Sequence, residues 1–310
     1  MQPAWVNRAL LVCAAAAACL ALPATASAHS RTTTVALDYH LTVDQKPRLL
    51  EVSILDGDRA VRLHVPTGHV VVVLGDLNEP MLRFDQGVWV SESSPTAQAN
   101  RLIGRAGSGW HKLSGGTMYA WHEHRLAPPP YGSGRPGAVA RWQIPVLVDN
   151  RHATIGGAFV RVSRPSALLW LGGVALVVAL GIGALRFRPV SGTVTAGVGA
   201  GIAALVAQTA FSLRDSPGGH AAWLSIGISA VVGAVAAWLL AVGRGTRRAY
   251  IAGAIGAGVA ALTLSWLGVF LHGAVISALP AFPMRLVCAV ALAGGLLALA
   301  GSLSVRVEAT

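Results

Sequence analysis

Hydrophobic and polar residues are distributed differently in the two parts of this chain. Up to Arg164, charged residues are scattered among short apolar stretches, whereas from Pro165 onward charges are rare and apolar runs extend for about 20 positions. The boundary near residues 163–165 predicts two domains, 29–164 and 165–310. The long runs predict an all-α bundle of five transmembrane helices: Ala167 to Leu185, Thr193 to Phe211, Ala221 to Val242, Tyr250 to Leu271 and Leu286 to Leu303.

The first domain has the two-residue hydrophobic period of β-strands. Two alternating stretches flank the turn residues Asp56-Gly57-Asp58, which predicts a hairpin. No amphipathic helix is evident, so the pattern predicts an all-β sandwich of the immunoglobulin-like type over 29–164. The predicted strands are Thr32 to Val43, Leu49 to Leu55, Ala60 to Val65, Val70 to Leu74, Gly87 to Ser91, Thr117 to Arg125, Ala140 to Val148 and Ile155 to Val162.

Composition and charge define the class and the topology. The chain has 310 residues, of which 54% are hydrophobic and only 12% charged, which excludes an ordinary soluble domain. Arginines cluster after the first and third apolar runs, and the positive-inside rule places those connections in the cytoplasm. The N-terminal domain then faces outward and the C-terminus is cytoplasmic, as in a multi-pass cell-membrane protein. Ala274 to Pro283 could alternatively form a re-entrant turn. The net charge of +11 reflects this topology, so nucleic acid is not an expected partner.

The first 28 residues have the features of a secretory signal peptide. An apolar run follows Arg8 and ends in the small residues Ala26-Ser27-Ala28, so cleavage would make His29 the first residue. An N-terminal histidine offers its α-amine and its imidazole to one ion, and this pair of nitrogens suits Cu(II). The alternative is that some residue must come first and this one happens to be histidine. After cleavage only Cys288 remains, so the exterior domain has no disulfide available.

The sequence Trp121-His122-Glu123-His124-Arg125 is the clearest chemical signal. If it is a strand, His122 and His124 share one face and two imidazoles could reach one metal ion. Glu123 and Arg125 would lie on the other face, where they could pair with each other. The alternative is an exposed strand edge with polar residues on both faces. The more isolated histidines are expected to be surface residues: His40, His64, His69 and His111.

A second candidate site lies in the last hairpin, where Asp149 and Asn150 precede His152. With His29 at the other end and a closing strand from Gly156 onward, this region resembles the CopC family of exported copper-binding β-sandwiches. The resemblance implies that His29, His152 and a hairpin Asp hold copper. This chain has Asn150 at the position of the family's Asp, and Asp149 one residue earlier is also an ordinary turn former.

The middle of the exterior domain, from Glu79 to Thr96 and then from Trp121 to Arg125, looks more like uncharacterised bacterial exported proteins. In the membrane part, His220, His272 and Met284 fall at the predicted outer face. This arrangement resembles a CopC domain fused to a CopD membrane domain, although interfacial placement is the favoured interpretation of each residue taken singly. The recurrent glycines of the spans are expected to allow close helix packing.

Three hypotheses follow. The first is an outward-facing copper-binding protein that captures copper for delivery or transport, with metal ligands among His29, His122, His124, Asp149 and His152. The second is a metalloenzyme, either an oxidative copper site built on the N-terminal histidine or a zinc hydrolase built on His122 and His124. In the zinc hydrolase Glu123 would be the base, although it would be on the wrong strand face. The third is a non-metal exterior domain on a membrane bundle that binds an exported protein. The expected partners are a metal ion, the lipid bilayer and, in the third case, a protein.

Overall fold

The structure is a computed structural model that describes residues 35–55, 60–104, 107–127, 135–214 and 220–305, with the side chains of 220–222 excepted. Its contacts divide these residues into a β-rich unit, 37–163, and a helical unit formed by residues 35–36, 164–214 and 220–305. The helical unit thus includes Val35 and Ala36, which lie within the predicted exterior domain 29–164. The predicted signal peptide, His29 and the turn at 56–58 fall outside the described residues.

Twelve strands and one 3-10 turn are defined in the described residues. The strands are β1 (Ala36–Leu37), β2 (Tyr39–Leu41), β3 (Glu51–Leu55), β4 (Ala60–His64), β5 (Val71–Leu74), β6 (Pro80–Phe84), β7 (Val88–Ser91), β8 (Trp110–Ser114), β9 (Met118–His122), β10 (Gly137–Val148), β11 (Arg151–Arg161) and β12 (Ala274–Val275). In the β-rich unit they form a seven-stranded sheet of order β2-β11-β10-β5-β6-β7-β8 and a three-stranded sheet of order β3-β4-β9. Every pairing in these two sheets is antiparallel.

One hydrophobic core contains residues from both sheets. The predicted alternation of the second hairpin arm is confirmed, because Val61, Leu63 and Val65 are buried while Arg62 and His64 between them are only partly buried. The predicted hairpin arms are also confirmed, since Leu55 pairs with Ala60 on either side of the turn. A β-rich N-terminal part therefore agrees with the alternating pattern.

Three parts of the β prediction need correction. β6 and β8 were not predicted, and a short helix, α1 (Pro95–Ala99), lies between β7 and β8. The predicted strand Thr117 to Arg125 ends at His122, and a 3-10 turn, His124–Leu126, follows it. The strand stops there because the Glu123 side chain accepts a hydrogen bond from the Arg125 N–H and so caps the turn.

The helical unit has six helices in the described residues: α2 (Ala167–Leu185), α3 (Pro189–Ser212), α4 (His220–Val242), α5 (Gly245–Leu264), α6 (Gly268–Leu271) and α7 (Ala281–Ser304). Among them, α2, α3, α7 and the part of α4 from Trp223 are long and apolar enough to cross a membrane. The predicted span Tyr250 to Leu271 is split between α5 and α6. Because α5 contains Arg247 and Arg248 in its first turn and four glycines along its length, its mean hydropathy is lower, and a fifth span remains a prediction.

Small residues allow α3, α5 and α7 to pack closely. A Cβ atom on Gly256 of α5 would lie 2.6 Å from the carbonyl oxygen of Gly295 on α7, and one on Gly197 of α3 would lie 3.0 Å from Ala252 on α5. The predicted packing role therefore holds for these glycines. It does not hold for Gly258, which has open space where a Cβ would be placed.

The segment predicted as a possible re-entrant turn contains β12, which pairs with β1. The Ile276 N–H also donates to the Val35 carbonyl, at 2.9 Å. Nearby, Arg285 donates to three backbone carbonyls, those of Val269, His272 and Gly273. These are carbonyls around the end of α6, so Arg285 satisfies acceptors that the short helix leaves open.

Candidate metal centre

The residues Trp121 to Arg125 form a buried ionic network. The Glu123 side chain is fully buried and accepts hydrogen bonds from Trp121 Nε1 at 3.0 Å and from Arg125 Nε at 2.9 Å and Nη2 at 2.8 Å. Arg125 Nη1 donates to the Leu74 carbonyl at 3.0 Å, and Arg125 Nε lies 3.4 Å from Asp76 Oδ1. The predicted pairing of Glu123 with Arg125 is confirmed. A carboxylate with this many donors holds the end of β9 against the loop after β5.

His122 and His124 do not share a strand face, contrary to the prediction. His122 is the last residue of β9, whereas His124 opens the 3-10 turn. His124 Nε2 donates to the Ala99 carbonyl at the end of α1, at 3.1 Å. Since a carbonyl only accepts, this nitrogen carries the proton. His124 therefore acts in the described structure as a contact between the turn and α1.

A second polar network joins the same loop to the start of α1. The Glu79 carboxylate accepts from Ser94 Oγ at 2.7 Å, from the Thr96 N–H at 3.2 Å and from the Leu77 N–H at 3.0 Å. Burial raises the pKa of Glu79, but these hydrogen bonds, from Ser94 and Thr96 above all, outweigh it and lower the pKa to about 2. Ser94 in turn accepts from the Ala97 N–H as the helix cap. Glu79 is therefore a structural anion.

Asp149 lies in the two-residue turn between β10 and β11. Asp149 and Asn150 have φ angles of +48° and +62°, which are left-handed values that Asp and Asn tolerate better than most residues. The interpretation of Asp149 as a turn former is confirmed by this backbone. His152 is the second residue of β11, is exposed and pairs in register with Leu147.

Asp149 contacts His69, a residue that the sequence pattern left as an isolated surface histidine. Asp149 Oδ2 lies 2.8 Å from His69 Nδ1, and Asp149 Oδ1 accepts from the Val70 N–H at 2.9 Å. Hydrogen bonds from His69 first and Val70 second lower the pKa of Asp149. Both side chains are exposed, at 41% for His69 and 47% for Asp149. The pair is thus accessible from solvent.

This contact fixes the tautomer of the His69 ring. An ionised carboxylate only accepts hydrogen bonds, so Nδ1 of His69 carries the proton and Nε2 of the neutral ring carries the lone pair. A histidine that donates one ring N–H to a carboxylate and uses the other nitrogen for a metal is a recurrent arrangement in metalloproteins. Asp149 is placed to orient a ligand in this way, a different role from the direct ligand role expected from the sequence.

A second histidine–carboxylate pair provides a comparison. His64 Nδ1 lies 3.1 Å from Glu51 Oε2 across β3 and β4, but the Glu51 side chain is 80% exposed. Asp149, in contrast, is held by a backbone N–H and by its position in a tight turn. His69 therefore has the better anchored partner.

The other predicted ligands do not gather in the structure. In the described residues, no group of three or more His, Cys, Asp or Glu side chains is close enough to hold a metal ion. His29 lies outside those residues, and so does the side chain of His220. Met284 is fully buried in the hydrophobic core of the helical unit, and Gln208 donates to Ser225 Oγ at 3.1 Å.

Comparison with known proteins assigns no family. No protein-family model matches this chain, and no curated protein or solved structure is significantly similar to it.

Proposed function

We propose that this chain is a membrane-anchored protein whose β-rich domain faces outward and captures copper for delivery or transport. The contact between His69 and Asp149 carries the proposal, because it fixes the ring of an exposed histidine through Nδ1 and leaves the lone pair on Nε2. His152 belongs to the hairpin whose turn contains Asp149. Imidazole nitrogens are ligands that copper binds well.

The proposed imidazole ligands of the β-rich domain are His69 and His152, and the N-terminal His29 predicted by the cleavage site is proposed as a separate copper-binding group. Asp149 supports His69 and is not itself a ligand. His122 and His124 are left out, because His124 contacts Ala99 and the two residues lie on different elements. The resemblance to the CopC and CopD families supports the same assignment, and we extend the proposal to an immunoglobulin-like sandwich and a fifth span.

Copper binding by the full-length, signal-processed protein in detergent tests the proposal. Cu(II) is added and the ligand nitrogens are followed by electron spin resonance, with affinity measured by competition with a chelator of known strength. We expect His69→Gln to weaken Cu(II) binding more than tenfold and Asp149→Asn to weaken it about tenfold, since loss of an orienting partner costs about 10–100-fold. The matched control is His64→Gln, which removes the other exposed histidine–carboxylate pair and should leave binding unchanged.

The N-terminal ligand is tested by adding one residue before His29, which moves the α-amine away from the imidazole. We expect a change in the nitrogen couplings of the Cu(II) spectrum. Equal binding by the wild type, His69→Gln and the extended protein would contradict the proposed site. Absence of Cu(II) binding in every form would contradict the function itself and leave a partner-binding exterior domain.

A further inference from the structure

A cavity of about 530 Å³, open to the surface and lined mostly by exposed residues, lies in the helical unit between the beginnings of α3 and α5. Arg188 and Ser191 line it at the start of α3, and Gly245 and Arg248 line it at the start of α5. The beginnings of α3 and α5, where these arginines lie, therefore meet at one end of the bundle. The positive-inside rule explains why arginines are present at such an end, but it does not explain a cavity between them.

Both guanidinium groups of the cavity lack an acidic partner. Within the described part of the chain, Arg188 and Arg248 form neither an ion pair nor a side-chain hydrogen bond. Neither α3 nor α5 has an acidic residue in its first turn, and neither has a side-chain cap. The positive charge of the cavity is therefore not neutralised by these helices.

The remaining lining fits the same kind of ligand. The Ser191 and Thr195 hydroxyls are hydrogen-bond donors, while Val190 and Val194 give the cavity an apolar side. Arginine matches the geometry of phosphate oxygens with paired N–H donors. Two helix beginnings add partial positive charge to the same space. The combination suits a phosphate group attached to an apolar body.

We infer that this cavity binds the phosphate of an anionic phospholipid headgroup. Basic pockets between membrane helices at the cytoplasmic side are suited to such headgroups. The phosphate would lie between Arg188 and Arg248, with the hydroxyls of Ser191 and Thr195 as further donors and the glycerol and acyl part toward Val190. This binding is independent of the copper site in the other unit.

Native mass spectrometry of the full-length protein in detergent tests the inference. Short-chain phosphatidylglycerol, short-chain phosphatidylcholine and inorganic phosphate are titrated separately, and bound ligand is counted. We expect the double variant Arg188→Gln/Arg248→Gln to weaken phosphatidylglycerol binding at least tenfold, since each charge-assisted contact contributes about tenfold. The matched control is Arg186→Gln/Arg247→Gln, which removes the same charge from two arginines outside the cavity lining and should change binding less than threefold.

The outcomes separate the sources of the phosphate. Preference for phosphatidylglycerol over phosphatidylcholine, lost only in the cavity variant, supports the inference. Retention of inorganic phosphate without lipid binding would overturn the headgroup assignment. Equal losses in the cavity variant and the control would overturn the site and indicate diffuse surface charge. Arg188→Lys/Arg248→Lys keeps the charge and should recover part of the binding, which excludes misfolding as the cause of the loss.

Discussion

The β-rich unit and the helical unit differ in the size of the residues that make the closest contacts inside each unit. In the β-rich unit the largest fully buried side chains include Trp121, Phe84 and Leu50, and a buried ionic network surrounds Glu123. In the helical unit the tightest crossings are made by glycines and alanines such as Gly256 and Gly295. The β-rich unit packs large side chains at its centre, whereas the helical unit brings backbones together at its helix crossings and buries large side chains such as Phe270 and Met284 beside them.

This difference follows from the surroundings that each unit is built for. Burial of large apolar side chains stabilises a domain in water, because that surface is removed from water. Between helices in lipid this gain is small, so close van der Waals packing of small residues takes its place. The two units should therefore be sensitive to opposite substitutions, with added volume harming the bundle and lost polar partners harming the β-rich unit.

Gly256→Leu should have the largest effect. The new Cβ would lie 2.6 Å from the Gly295 carbonyl oxygen, so α5 and α7 must separate. We expect a loss of more than about 3 kcal/mol in the free energy of unfolding, with little folded protein recovered from detergent. Thermal unfolding and size-exclusion chromatography measure this. Gly258→Leu is the control on the same helix, because that position faces open space; equal effects of both variants would contradict tight packing at Gly256.

Glu123→Gln should have the next largest effect. It keeps the shape of the side chain but removes the charge that Arg125 contacts, and the Arg125 side chain is only 17% exposed. We expect a loss of about 3 kcal/mol, because one partner of a buried pair then lacks its counter-charge. Denaturant unfolding followed by tryptophan fluorescence reports it. Glu51→Gln is the control, with a carboxylate 80% exposed and an expected change below about 0.5 kcal/mol; a similar loss there would refute the importance of burial.

Acid should weaken the β-rich unit through Glu79. Its pKa is lowered from 4.5 to about 2 in the folded protein, so its ionised form stabilises the fold above pH 4.5 and this contribution is lost as pH falls from 4.5 to 2. Because Glu79 is half-buried, we expect about 1–2 kcal/mol. Unfolding curves at several pH values, compared with Glu79→Gln, measure it. A difference between the two proteins that stays constant over this pH range would contradict the assignment.

Substitutions at residues with a left-handed backbone should have the smallest effect on the free energy of unfolding. This effect should be the same in the two units. Asn150 and Gly245 both have positive φ, at +62° and +52°, and Gly245 has open space around its Cα. We expect Asn150→Ala and Gly245→Ala each to cost about 1 kcal/mol, because left-handed conformations are unfavourable for alanine in either unit. Thermal unfolding of the two variants tests this. A much larger loss for Gly245→Ala would show that packing matters there as well.

Local patterns predicted the positions of most elements, because hydrophobic period and length act within a short stretch of chain. β6 was missed because Pro80 at its start and Arg83 inside it interrupt the alternation, although a proline is allowed as the first residue of a strand. β8 lies at the edge of its sheet, and its first three residues are exposed, so it has no apolar face to detect.

The candidate site was predicted less well, because its contacts are not local. His69 and Asp149 are 80 residues apart in sequence, and no spacing rule connects them. The sequence wrongly predicted that the strand continues through His124. The Glu123 carboxylate accepts hydrogen bonds from Trp121 and Arg125, and the chain forms a 3-10 turn there instead of a strand. The motif that contains His122 and His124 thus has a structural role. The better oriented histidine is His69, which has no motif around it.

The hydrogen bond between Val35 and Ile276 limits how far the predicted mature N-terminus can reach. His29 precedes Val35 by six residues, and a fully extended chain of that length spans about 20 Å. Any ligand pair on His29 would therefore remain within that radius of the loop that contains β12. Confinement to such a volume corresponds to an effective concentration in the millimolar range, on the order expected for short tethers. A group carried on this tether would meet a partner on that loop far more often than the same group free in bulk solvent.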